Sequence, residues 1–166
     1  AQQIARMIEA IRAEVARARD EQAEIRGATA ALLDGRDQPD WSSRAMSALG
    51  GQHDLSRRTA RIADAVVEVQ RLVIINRQEH PERDDRLRRV VALLREQVSQ
   101  RMAASSDALG RVPQAGAAVG EALAGQQGAI ASLEEVLELL QEAVSFGEVI
   151  TRLHRLIDLW ERIRGG

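Results

Sequence analysis

The side chains able to do chemistry in this chain are three histidines, 25 carboxylates and 23 basic residues, all of them arginine. His53, His80 and His154 are scattered, and no HExxH or ExxH spacing sets any of them beside a glutamate on one helical face. The common helical zinc and di-iron sites use that spacing. Cysteine is absent, which excludes disulfides, thiolate nucleophiles and cysteine-ligated zinc. Lysine is absent, which excludes a Schiff-base or phosphate-loop lysine. The glycine pair in LGGQHD (49–54) has neither a lysine nor a preceding strand, and no GxSxG elbow occurs. Glu134 and Glu138 share a helical face, but like charges four apart mark solvated surface. A catalytic base or nucleophile needs a partner to hold it near a site that stabilises charge. The sequence offers none, so the expectation is no catalytic residue, no metal and no cofactor.

The polar residues that do recur suit architecture better than catalysis. QAEIRGATA (22–30) and QHDLSRRTA (52–60) both set a glutamine seven residues before a threonine. Each lies within a stripe that steps by four and three. The first stripe is Ile4, Ile8, Ile11, Val15, Ala18, Gln22, Ile25, Thr29 and Leu32. The second is Ala48, Gln52, Leu55, Thr59, Ile62, Val66, Val69, Val73 and Asn76. This is the heptad period of packed helices. It predicts one helix over 2–34, stopped by Gly35, and another over about 41–78, capped by Asp40 or Ser42 and weakened at Gly50 and Gly51.

Folding the first stripe back on the second pairs Ile8 with Val69, Val15 with Ile62, Gln22 with Leu55 and Ile25 with Gln52. The midpoint falls inside the turn DGRDQPD (34–40). Gln22 and Gln52 then lie diagonally in adjacent layers, close enough to hydrogen-bond. With Thr29 and Thr59 they read as a buried polar layer that disfavours shifted registers. The alternative is a polar ligand site between the helices.

A second hairpin is expected over 82–144. Pro81 suits a helix start, with Glu82, Asp84 and Asp85 favouring its positive end and His80 as a cap. The next stripe is Leu87, Val91, Leu94, Val98, Arg101 or Met102, Ser105 and Leu109, ended by Gly110 and Pro113. The one after is Val119, Leu123, Gln126, Ile130, Leu133, Leu137, Leu140 and Val144. In the hairpin Leu87 faces Leu137, Val98 faces Gln126 and Ser105 faces Val119. Gly116, Gly120, Ala124 and Gly128 form a small-residue strip, read as close packing within the bundle or as a groove for a partner helix. SFGE (145–148) fits a capping box and places a break there. A final helix over 146–164 carries Val149, Leu153, Leu156, Trp160 and Ile163. It is expected to bury Trp160 against the hairpins. Arg152 and Arg155, with Arg162 and Arg164, leave open a membrane-surface role.

Composition agrees with an all-α protein: aromatics make up only 2% of the chain, and its apolar residues are mostly helix-favouring Ala and Leu with Ile and Val. A net charge of −2 does not attract nucleic acid. No apolar run approaches the ~20 residues of a membrane-spanning helix, and no leader pattern is evident. The end IRGG echoes IRGA (25–28), with Trp160 where Gln22 stands, so a further repeat unit of a longer protein is one expectation.

The repeated Gln-and-Thr units and the segment ALAGQQGAIASLEEVLELL (122–140) resemble uncharacterised helical regions of large envelope or secreted proteins from GC-rich bacteria. The resemblance covers about half the chain and implies a secreted or periplasmic structural domain with no catalytic residues. The sequence therefore predicts a single elongated bundle of antiparallel helical hairpins over 1–166. Its expected role is that of a scaffold or interaction domain with a protein partner or a second copy. The alternatives are a ligand-binding or sensory module near Gln22 and Gln52, and a helical protein lying on a membrane.

Overall fold

The computed structural model describes residues 2–166. Its elements are α1 (Gln2–Ala30), a 3-10 turn (Ala31–Leu33), α2 (Trp41–Ile75), α3 (Pro81–Ala92), a π-helical turn (Leu93–Val98), α4 (Ser99–Arg111) and α5 (Ala118–Gly165). Helix α3, the π turn and α4 run on as one arm, so the chain makes four arms. Each packs on two neighbours: α1 on α2 and α5, α2 also on α3 and α4, and α3 and α4 also on α5. The result is an up-down-up-down four-helix bundle with a closed ring of seams, the all-α architecture that the period predicts.

The expected stops are visible in the backbone. Gly35 adopts φ 96°, the left-handed conformation that ends a helix at little steric cost. Trp41 then closes the first turn: its indole Nε1 donates to the carbonyl of Leu32 at 2.9 Å, and its ring is buried. Asp40 precedes α2 without a side-chain capping bond, and the helix runs unbroken through Gly50 and Gly51. It ends at Ile75, short of the expected 78, because Arg77 turns left-handed at φ 53°. The Arg77 and Gln78 amides then donate back to Ile74 and Val73. At α3 the imidazole Nδ1 of His80 accepts from the Arg83 amide, and Asp84 accepts from the His80 amide at 2.8 Å.

The first seam follows its predicted stripes. Every member from Ile4 to Leu32 is buried except half-buried Ile25, and every member from Ala48 to Val73 is buried. Asn76 lies beyond the helix end and is exposed. Contacts fit the predicted pairing: Arg58 bridges to Glu21, and Gly51 lies against the Ile25 side chain.

The second seam is displaced. Ser105 Oγ, which donates to the Arg101 carbonyl at 2.9 Å, lies 3.3 Å from the Ala122 carbonyl rather than facing Val119, and Gly125 and Gly128 rest on Ser105 and Arg101. Of the two alternatives at the stripe, Met102 is buried and Arg101 is exposed. Two causes are visible. Leu94, Val98 and Met102 step by four, which would drift around a regular α-helix. The wider π turn restores them to the core side. In addition, α5 turns Ala122, Ala129, Val136 and Ala143 inward and leaves Leu123, Ile130, Leu137 and Val144 half-buried at the edges of the seam. Small residues inward let α4 approach closely.

Arg86 with Glu142 at 3.0 Å and Arg89 with Glu135 at 2.7 Å tie α3 to α5, and Arg95 with Asp64 at 3.2 Å ties the π turn to α2. On the α2 surface the hydrogen bond from Arg71 holds the Glu68 carboxyl below its ordinary range.

Candidate interaction site

Two groups of residues need explanation beyond the apolar core: a polar layer inside the bundle and an apolar face outside it.

The polar layer joins three helices. Gln22 and Gln52 exchange hydrogen bonds, Nε2 of Gln22 donating to Oε1 of Gln52 at 2.9 Å and Nε2 of Gln52 donating to Oε1 of Gln22 at 2.8 Å. Gln126 of α5 completes it, its Nε2 donating to Thr29 Oγ1 at 3.0 Å and to Gln52 Oε1 at 3.4 Å. The Thr29 hydroxyl itself donates to the Ile25 carbonyl at 2.8 Å. All three glutamines are fully buried, and Oε1 of Gln126 has no hydrogen-bond partner. Thr59 stands apart from this network: its hydroxyl donates to the Ser56 carbonyl and lies against the sulfur of Met102. The layer cuts the core in two. On one side lies the long cluster from Ile4 and Ala143 to Ala18, Leu55, Met102 and Ala129. On the other lies a smaller cluster around Leu32, Trp41, Leu109 and Val119.

The periodicity sets Gln126 on a stripe without assigning it to the layer. Pairing rules for one hairpin cannot show that α5 of the second hairpin meets α1. Its repeat spacing gave no other signal.

The small-residue strip is redrawn. Gly120 and Ala124 are exposed, and a side chain at Gly120 would meet nothing within 4 Å. Gly116 precedes α5 and lies under the Arg36 guanidinium. Only Gly128 packs as expected, against Arg101, and the residue that lets α4 come close is Gly125. The helix winds at 3.6 residues per turn, so a strict step of four drifts off the seam.

Grooves of about 320 and 390 Å³ open to solvent along the α1–α2 seam, one beside Ile11, Arg58 and Arg61 and the other beside Ile25, Arg44 and Ser47. Neither holds a histidine. No group of three or more His, Asp or Glu side chains is placed to hold a metal ion among the described residues.

The apolar face belongs to the end of α5. The expected break at 145–148 does not occur. Ser145 Oγ donates back to the Gln141 carbonyl at 3.0 Å instead of capping, and α5 continues for 48 residues, about 72 Å at 1.5 Å per residue. Gly147 stays helical and lies near Ala5 of α1, and Phe146 covers the bundle end beneath Arg86, 5.0 Å from its ring centre. Beyond this point only the start of α1 flanks the helix. Val149, Leu153, Leu156, Trp160 and Ile163 are each more than half exposed, joined by Ile157 and Leu159. Trp160 is 65% exposed, which overturns its expected burial against the hairpins. Gln2, Ala5 and Arg6 of α1 lie beside Gly147 to Arg155, and no described residue covers the stripe. Arg152 and Arg155 are exposed on the same segment. No helix among the described residues is long and apolar enough to cross a membrane.

No protein-family model matches the chain, and no curated protein or solved structure does either.

Proposed function

We propose that this protein is a non-catalytic helical scaffold that presents the C-terminal segment of α5 to another polypeptide. One observation carries the reading: seven large apolar side chains between Val149 and Ile163 stand exposed on a helix that projects from an otherwise closed bundle. A soluble helix that exposes a continuous apolar stripe gains by covering it. The bundle itself supplies stiffness and sets the direction in which the stripe projects. The polar layer is read as its register device rather than a ligand site, because three amides and one hydroxyl bond one another across it.

The test is a photo-crosslinking residue in place of Leu156, illuminated in an extract of the source cells. Covalent adducts with a polypeptide, either another copy or a different chain, are expected. Illumination that yields no polypeptide adduct overturns the reading.

A membrane-surface role is the second reading, favoured by the exposure of Trp160 among Arg152, Arg155, Arg162 and Arg164. Against it, Glu148, Asp158 and Glu161 nearly balance those arginines, so attraction to anionic lipid is weak. Co-sedimentation with phosphatidylserine vesicles, lost in Trp160→Glu, would support it.

A further inference from the structure

We infer that the exposed stripe of α5 is covered by the same segment of a second copy, run antiparallel; this rests on the reading of that segment as a polypeptide-binding face. The stripe has its own frame. Continuing the core spacing from Ala143 leads through Gly147, Ile150, His154, Ile157 and Glu161, a face that turns polar. The exposed stripe instead runs Val149, Leu153, Leu156, Trp160 and Ile163, about 100° further round the helix. The heptad steps of four and three thus resume beyond the bundle on a new side, the signature of a seam made with another helix rather than a frayed end of the old one. The opposite face carries Asp158, Glu161 and Arg162 and suits solvent.

Size matching selects the orientation. In a parallel pair the two Trp160 indoles would fall in one layer. In an antiparallel pair Trp160 meets Val149 and Leu153 meets Leu156, so the large side chain packs on the small one in two symmetric layers. Length agrees. In this register Val149 to Trp160 of one copy lies along Trp160 to Val149 of the other, roughly 17 Å at 1.5 Å per residue, and Ile163 reaches Phe146 at the end of the partner's bundle. At that end Ile74 and Ile75 of α2 are also exposed, 65% and 57%. The five exposed side chains of the stripe offer roughly 100 Å² each, so two copies together cover about 1,000 Å², the lower bound for a specific interface. The chain's near-neutral charge does not oppose the pairing.

Sedimentation equilibrium up to about 100 μM is expected to give twice the 18.2 kDa mass of one chain. The double variant Leu153→Glu, Leu156→Glu is expected to return to one mass with helicity and bundle melting unchanged. Because the chain has no cysteine, orientation is read directly. A mixture of Val149→Cys and Trp160→Cys proteins should form the mixed disulfide on oxidation, and Trp160→Cys alone should not link to itself. A single-copy mass for the unaltered protein, a double mass that survives the glutamates, or self-linking through Trp160→Cys overturns the inference. The crosslinker at Leu156 separates the two proposals. An adduct of twice the chain mass supports both. An adduct only with a different polypeptide keeps the scaffold reading and removes self-pairing. The absence of any polypeptide adduct removes both.

Discussion

At the scale of single residues, the polar layer makes an asymmetric prediction. Gln126 is buried with its Oε1 unpaired, and an unsatisfied buried acceptor costs about 1–3 kcal/mol. Gln126→Leu removes that atom, while Thr29 keeps its bond to Ile25 and Gln22 and Gln52 keep theirs to each other. Denaturant unfolding is expected to show Gln126→Leu about 1 kcal/mol more stable than the unaltered protein. Gln22→Leu alone strands the Gln52 amide nitrogen and should lose about 1–3 kcal/mol by the same measurement. Equal effects from the two substitutions would sink this account of the layer. Arg77 supplies a second case. Its φ of 53° is a glycine conformation, and its exposed side chain makes no bond that ends the helix. Arg77→Gly should gain about 1 kcal/mol and raise Tm by a few degrees, because the strain removed exceeds the added freedom of the unfolded chain.

At the scale of elements, the seam between α4 and α5 rests on two glycines of unequal importance. A methyl group at Gly125 would come within 3.0 Å of the Arg101 backbone oxygen and 2.4 Å of Ser105 Oγ, so the helices themselves would have to part. At Gly128 the obstruction is the side chain of exposed Arg101, which can swing away. Gly125→Ala is therefore expected to lower stability by about 1–3 kcal/mol through overpacking. Gly128→Ala should stay within about 0.5 kcal/mol, as gained helix propensity offsets a moved arginine. Gly120→Ala, which meets nothing, should gain about 0.5–1 kcal/mol. Thermal melts of the three variants rank them directly. Heptad spacing could not have ranked these glycines, since it shows which face a residue occupies but not how near the neighbouring backbone lies.

At the scale of the whole molecule, the bundle and the projecting end of α5 should unfold independently. In Leu153→Glu, Leu156→Glu, brief trypsin digestion is expected to cut first after Arg152 and Arg155, leaving a helical core whose melting temperature lies within about 2 °C of the uncut variant. A core that melts far lower would show that the segment supports the bundle. The turns at Gly35 and His80 and the register of the first seam are legible in the sequence, whereas its separate final helix gives way to one continuous α5. Those features depend on local backbone preference and on one hairpin with a short turn, where the partner of each stripe is the next stripe along the chain. Only tertiary packing shows that Gln126 joins Gln22 and Gln52, and that α4 slides along α5 past a π turn. It also shows that α5 is exposed from Arg152 onward. Each of these depends on which distant helix comes near and where it stops. Periodicity marks the apolar side of a helix, but it carries no information on whether another helix lies over it.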